Sequence, residues 1–359
     1  MGAPKKILVI NMGSTSSKMA YFEDDKKVAE RSWEHSVEEL DRAKTVEEKC
    51  DMRRRLLEQF LAENGLNVAE MDAIATRGSG GSGRYRSGAY LVTPELAADC
   101  KRGMGHQGLL TSTVIADEWS QKYGVPAYLY DVVPVDELQD ISRITGHPAI
   151  TRGGGTHTLN TRAMAMAVAE EIGVPYSEGT FIVTHMGGGV SSNLHVKGRM
   201  IDIVSADEGA MTPDRMGKVP CGSLTAMCYR TPKEEFYKQK KGLIGNLGTN
   251  DCKEIEQRIA NGDERAELVY HAMALQVGKD IASLAAVVGG KVDAIVLTGG
   301  IAHSKMMTGW IKEYIGFIAP VHVKGGAKEV EALAGGVLRV LNGQEKVNDY
   351  EEVKRSANR

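Results

Sequence analysis

Glycine-rich tips that follow an apolar strand ending in a polar side chain occur twice in this chain. In Lys6–Phe22 the strand ends at Asn11, a Gly13-Ser14-Thr15-Ser16-Ser17 turn follows, and Lys18 opens a second strand. In Thr180–Val204 the strand ends at His185, Gly187-Gly188-Gly189 makes the turn, and two more strands join at Lys197-Gly198. Glycine has no Cβ, so backbone N–H groups at such a tip can approach an anion closely. The duplication predicts two half-domains closing on one polyphosphate. A third landmark, Val292–Lys305, is a strand ending in Thr298-Gly299-Gly300 before a helix. A ligand at that turn would meet helix N-terminal N–H groups at the carboxyl end of a strand. Alone, the turn reads as glycine needed for packing; beside two phosphate hairpins it becomes a candidate nucleotide-base site.

Charged residues around these tips suit phosphoryl transfer, which needs cations about a spreading equatorial charge; the arginine fork matches two oxygens at once. Arg77 closes the strand Asp72–Thr76 and enters the Gly78–Gly83 loop, and Arg215 sits in the Pro- and Gly-punctuated loop Ala210–Gly222. Arg84, Arg86 and Arg152 also lie in glycine-rich loops, so loop position does not choose among them. Asp131 ends the strand 126–131 and is expected to point into the same cleft. His157 follows Gly153-Gly154-Gly155-Thr156 at the start of a helix, where the dipole disfavours a positive charge. Glu329 and Glu331 open the last helix, a suitable place for a carboxylate reaching magnesium. Each also has a plain reading: a solvated arginine, a capping aspartate, a first-turn histidine, dipole-paired glutamates.

Other chemistries lack their patterns. There is no G-x-x-x-x-G-K-[ST], no H-E-x-x-H and no G-x-S-x-G. One G-x-G-x-x-G occurs at Gly78–Gly83, but Arg84–Val92 after it does not read as a helix, so it is no dinucleotide fingerprint.

The elements that must position these residues alternate. Strands are expected near 6–10, 18–23 and 27–34, a helix at 44–64, a strand at 72–76, helices at 94–104 and 108–123, and a strand at 126–131. A helix at 156–172 leads to strands at 180–185, 190–196 and 199–204. Helices follow at 222–229, 233–240, 251–261 and 264–288, then strand 292–298, helix 304–315, strand 317–323 and helix 328–342. Asp251 with Glu254 reads as a capping box. Apolar residues at 268, 272, 275, 281, 284, 285 and 288 suit a long, largely buried helix. The tail after Gln344 reads as charged and loose. Each half is three strands and then alternating helix and strand, an α/β pattern.

At 359 residues the chain exceeds one core, so two domains are expected. A composition of 42% hydrophobic and 25% charged residues is that of a globular protein, and a formal net charge of −3 favours neither nucleic acid nor a membrane as partner. Five cysteines at irregular spacings form no metal or disulfide pattern and fit a reducing cytoplasm. No signal peptide and no apolar run of transmembrane length are read.

Together the glycine landmarks resemble the sugar kinase, heat-shock chaperone and actin superfamily. Within it, Ile7–Asp25, Asp131–Pro148, His157–Asn160, His185–Gly189, Gly248–Ile259, Val292–Lys305 and Glu331–Leu341 resemble the acetate kinase family, butyrate kinases most closely. The resemblance implies a duplicated two-domain fold, 1–140 plus 330–359 and 141–329, with the active site in the interdomain cleft. It implies reversible transfer of the ATP γ-phosphoryl group to a short-chain carboxylate, with ATP or ADP and Mg2+ as cofactors, in a cytoplasmic homo-oligomer, a dimer or larger. By position, Asn11 and Ser14, Thr15 and Ser16 match the first phosphate loop. His185 with Gly187, Gly188 and Gly189 matches the second, and Gly299 and Gly300 match the adenosine loop. Arg77 and Arg215 match the pair that clamps carboxylate and phosphoryl group, Asp131 the aspartate that organises magnesium and acid, and His157 the histidine that stabilises the transition state. Asn11 and Glu329 match the metal-linked residues, Glu331 being one register step away.

Three stretches depart from that family's pattern: Met12 in place of proline, the glycine- and arginine-rich Arg77–Tyr90, and Arg152–His157. The last two flank the expected acyl pocket and leave isobutyrate, valerate, propionate and acetate open beside butyrate. An actin- or chaperone-like ATPase would leave His157 and the arginine pair unexplained, and a sugar kinase would need an aspartate base. A carboxylate, ionised at neutral pH, needs none.

Overall fold

The computed structural model describes residues 2–13, 15–102 and 107–357. The chain divides into two units, Met1–Glu137 with Lys328–Arg359, and Leu138–Ala327.

In the first unit, β1 (Lys6–Met12), β2 (Ser16–Glu23) and β3 (Lys26–Glu34) form an antiparallel meander. β4 (Ala73–Thr76) runs parallel to β1, and β6 (Ala127–Tyr130) runs parallel to β4. β5 (Ala89–Leu91) closes the edge antiparallel to β6, giving the order β3-β2-β1-β4-β6-β5. Ile7 to Ile10 are wholly buried because helices Gln107–Tyr123 and Glu329–Leu341 both pack on the sheet. A strand covered on both faces reads as a continuous apolar run.

The second unit repeats the plan. β7 (Thr180–Met186), β8 (Val190–Val196) and β9 (Arg199–Val204) make the meander, and β10 (Ala294–Gly299) and β11 (Val321–Gly325) follow in parallel. Phe181, Val183, Ala294 and Val296 face helix Thr158–Glu171, while Ile182, Ile295 and Leu297 face helix Glu264–Val287. That alternation is the period of two of a strand.

Four expectations need correction. β5 was not foreseen: three residues carry too little pattern, and only pairing with β6 makes them a strand. The tail is not loose: Tyr350–Ala357 is a helix whose Val353 is 1% exposed, tied to Asp99 and Glu95 through Tyr350 and Lys354. In Glu264–Val287 the buried stripe runs through Ala266, Tyr270, Met273, Val277 and Ile281, while Leu268 and Leu275, seven residues apart, face solvent. Asp251 does cap its helix, accepting from Lys253 N–H, but Glu254 accepts from Thr249, so the reciprocal half of the box is missing. A complete capping box stands at Thr45 and Glu48.

Candidate active site

In the first unit, β1, β4 and a helix start converge on one carboxylate. Glu329 is the first residue of Glu329–Leu341, where the helix dipole favours negative charge. Its Oε2 accepts from Asn11 Nδ2 at 2.8 Å and its Oε1 pairs with Arg77 Nη1 at 2.6 Å. Arg77 Nε is buried with no hydrogen-bond partner, a donor left for something else. Glu331 instead meets Lys27 at 2.8 Å, so Glu329 is the glutamate that joins Asn11 and Arg77.

The first glycine turn is closed by the Gly13 N–H donating to the Ser16 carbonyl at 2.8 Å. Thr15 is exposed at its tip, and Ser14 lies outside the described residues. Behind the turn stands Arg53, 1% exposed. It donates to the Gly13 and Gly108 carbonyls, both at 2.8 Å, and to Thr111 Oγ1 at 2.7 Å. A Cβ on Gly108 would lie 2.2 Å from the Gly13 oxygen, so only glycine fits. The Met12 N–H donates to Ser112 Oγ at 3.0 Å, a bond that proline could not make.

Asp131, 2% exposed, follows β6 with a left-handed φ of 43°. Its Oδ1 accepts from the Gly88 N–H at 2.7 Å, and its own N–H donates to the Gly88 carbonyl at 3.1 Å. The Gly78–Gly83 run that precedes this contact is shaped by packing: a Cβ on Gly78 would meet Thr113 Oγ1 at 2.3 Å, and one on Gly80 would meet Pro134 at 2.9 Å.

In the second unit the glycine turn gathers two histidines and an arginine. The Gly187 N–H donates to the Gly189 carbonyl at 2.9 Å. A Cβ on Gly187 would lie 3.3 Å from His185 Nε2, and one on Gly189 would lie 3.6 Å from His157 Cε1 and 3.8 Å from Arg215 Nε. The two imidazoles stack at 4.2 Å with 15° between planes. His157 occupies the N-cap position of Thr158–Glu171 without a side-chain cap bond. Its Nδ1 lies 2.8 Å from Ser191 Oγ. Thr156 Oγ1 lies 2.8 Å from both Ser191 Oγ and Asn193 Oδ1. An amide oxygen only accepts, and a hydroxyl has one proton. Thr156 therefore shares its proton between Ser191 and Asn193, and Ser191 Oγ joins His157 Nδ1 to that chain. His185 Nδ1 stands 3.0 Å from Asn160 Oδ1.

Thr212 couples the Arg215 loop to the same turn. Its hydroxyl donates to the Gly188 carbonyl at 2.6 Å and accepts from the Arg215 N–H at 2.9 Å. Asp280, 2% exposed, anchors the loop through the Ala210 N–H at 2.6 Å and through Lys218. Burial pushes the Asp280 carboxyl up, against the pull of Lys218. The Arg215 guanidinium, half exposed, meets Asp207 at 2.9 Å. Gly299, φ +88°, packs so closely that a Cβ would lie 2.4 Å from the Met186 carbonyl, while Gly300 faces open space. One 3-10 turn, Gly300–His303, separates it from the helix Lys305–Ile315, whose first turn is capped by Ser304.

Arg152 is spent within the fold, on Glu208, Asp202 and two backbone carbonyls, and its hydrogen bonds to Glu208 push its pKa up. Arg86 reaches Glu352 at 3.6 Å with both side chains largely exposed. Sequence reasoning missed Arg53, Ser112, Ser191, Thr212 and Asp280, whose partners lie far along the chain. Asn160 stood within a quoted motif and could have been found.

Each unit carries one glycine turn, the first on the strand whose Asn11 meets the arginine-bound Glu329 and the second against the stacked His157 and His185, groups of the kind phosphoryl transfer uses. The family model described as the acetokinase family matches residues 137–312. Over 96% of this chain and 99% of the relative, 40% of residues are identical to "Probable butyrate kinase 2" of Caldanaerobacter subterraneus subsp. tengcongensis. Butyrate kinase 2 of Clostridium acetobutylicum is 39% identical, also over 96% of this chain and 99% of its own length. The crystal structure of Porphyromonas gingivalis acetate kinase superposes with a TM-score of 0.77 at 19% identity, covering 94% of this chain and 100% of that one. The chain belongs to the acetokinase family. It is an ATP-dependent carboxylate kinase with the duplicated α/β fold of sugar kinases and actin.

Proposed function

We propose that this kinase reversibly transfers the γ-phosphoryl group of ATP to a short-chain aliphatic carboxylate, butyrate first among them, giving an acyl phosphate and ADP. The near full-length similarity to two butyrate kinases carries the choice of acid.

The geometry supports these roles. Arg77 holds one guanidinium edge on Glu329 and has its buried Nε unspent, so it is suited to an incoming carboxylate or phosphoryl oxygen. Arg215 and the Gly187–Gly189 turn offer a second cation and backbone donors. His157, held through Nδ1 by Ser191, is suited to a hydrogen bond from Nε2 to a phosphoryl oxygen. The Ser16 turn serves as the first phosphate loop, with Arg53 drawing the Gly13 carbonyl away from an anion. Gly299 and Gly300 receive the adenosine. Asp131 orients the acid electrostatically and abstracts no proton, because the nucleophile is already ionised.

The donor set fits magnesium arriving with the nucleotide. Among the described residues no group of three or more His, Cys, Asp or Glu could hold a resident metal, whereas Mg2+ is usually held by one or two carboxylates plus phosphates and water. Glu329 and Asn11 would hold it, and it would supply charge neutralisation at the phosphates. A cytoplasmic homo-oligomer, dimer or larger, is part of the proposal. No helix among the described residues is long and apolar enough to cross a membrane. Helices Cys221–Arg230 and Lys233–Lys238 bury no side chain and expose Met227, Tyr229 and Tyr237, consistent with a covered face.

The test runs the reaction backward. Butanoyl phosphate with MgADP should yield ATP in a luciferase assay, faster than acetyl phosphate does. Failure to form ATP from any acyl phosphate would overturn the reading.

A further inference from the structure

The segment after the last family motif, Glu345–Ser356, is bound along the loop between Arg77 and Gly88. Asn348 brackets Gly88: its N–H donates to the Ala89 carbonyl at 2.8 Å and its Nδ2 to the Ser87 carbonyl at 2.9 Å. Gly88 in turn exchanges hydrogen bonds in both directions with Asp131. Its φ of +104° and the approach of the tail both demand glycine, since a Cβ there would lie 2.8 Å from Glu345 Oε1 and 3.2 Å from Asn348 Nδ2. Glu345 Oε2 accepts from the hydroxyl of Tyr130, the residue before Asp131, at 2.8 Å. It also accepts from Arg339 Nε at 3.1 Å, on the helix that Glu329 begins. Farther along, the Arg84 N–H donates to Ser356 Oγ at 2.8 Å, and a Cβ on Gly83 would lie 2.6 Å from the Val353 carbonyl. The glycines that set the Arg77–Tyr90 stretch apart from its family pattern therefore include two that let this tail approach.

We propose that Asn348 is a positioning residue for the carboxylate side of the reaction: it fixes Gly88, and through Gly88 it fixes Asp131. The proposal rests on the carboxylate kinase reading and deepens it. Asn348 touches no reacting atom in this assignment. Its loss alters how the acid is held and leaves nucleotide binding alone, because its contacts run to the Gly88 side of the loop. Asn348→Asp places a carboxylate oxygen where Nδ2 faced the Ser87 carbonyl and turns attraction into repulsion; Asn348→Ala only removes the bond.

The experiment measures ATP-dependent acyl hydroxamate formation over a range of butyrate concentrations for wild type and both variants. MgATP affinity by calorimetry, thermal midpoint and amide hydrogen exchange of the peptide spanning Gly88 are measured alongside. The expected result is a fall in kcat/KM for butyrate of about tenfold in Asn348→Asp and a smaller fall in Asn348→Ala. MgATP affinity stays within about twofold, and exchange at Gly88 is faster. Asn348→Ala, a mild change at a half-buried site, keeps the test valid should Asn348→Asp fold poorly. Variants matching an active wild type would overturn this proposal alone. So would a lower midpoint with unchanged kinetics, or an equal loss of MgATP affinity, which would make the segment merely structural. A wild type that phosphorylates no acid would overturn the underlying reading and this proposal with it.

Discussion

Glu329 holds Asn11 and Arg77 at once, so a change at Arg77 has a second consequence. Arg77→Ala removes a cation and also releases a carboxylate. We expect Arg77→Ala and Arg215→Ala each to lower turnover by about 100-fold or more, roughly 3 kcal/mol of transition-state stabilisation. Lysine should restore little, lacking the bidentate fork. Steady-state kinetics check this, and near-normal turnover in Arg77→Ala would hand its role to another arginine. For His157 the hydrogen-bond chain predicts that Gln, which keeps a donor, retains more activity than Ala, with MgATP affinity unchanged in both. Loss of nucleotide binding in both variants would instead make His157 a ground-state contact. Residues of this kind can be proposed from the sequence because they sit at strand ends and glycine turns, where chain spacing tracks spatial spacing. Ser191 and Arg53 cannot: Ser191 serves a histidine 34 residues away, and Arg53 serves a carbonyl 40 residues away.

At the scale of elements, the β1–β2 hairpin depends on a helix that sequence alone reads as ordinary. Arg53 lies within Val46–Glu63 and its partners are carbonyls and a hydroxyl, with burial pushing its pKa down from the usual arginine value. Arg53→Ala takes its donor from the part-buried Gly13 carbonyl, leaves the Gly108 carbonyl to the Thr111 hydroxyl, and opens a void behind the turn. It should destabilise the fold by about 3 kcal/mol or more. Urea denaturation measures this; a loss below about 0.5 kcal/mol would mean that the turn holds its own shape. Long periodic helices and the two meanders were readable, since burial repeats every few residues along them. β5 and the helix Tyr350–Ala357 were not, because each owes its order to partners distant in sequence: β6 for the one, Asp99 and Glu95 for the other.

Over the whole molecule, both units carry one plan: a three-stranded meander whose first strand is joined by parallel strands, in the orders β3-β2-β1-β4-β6 and β9-β8-β7-β10-β11. The repeat was visible in the sequence because the glycine turn between strands one and two is covalently local in each copy. Under the proposed function each unit supplies one phosphate turn, at Gly13–Ser16 and Gly187–Gly189, and the carboxylate is met by residues at the strand ends around them. The Arg77–Tyr90 loop, whose shape no short motif encodes, is proposed to bear on which acid is taken. The most direct measurement is therefore acyl hydroxamate formation with MgATP across straight and branched acids of two to six carbons. The account predicts acid-dependent product with butyrate at or near the highest kcat/KM and acetate well below it. ATP hydrolysis that no acid stimulates, with no hydroxamate formed, would contradict it.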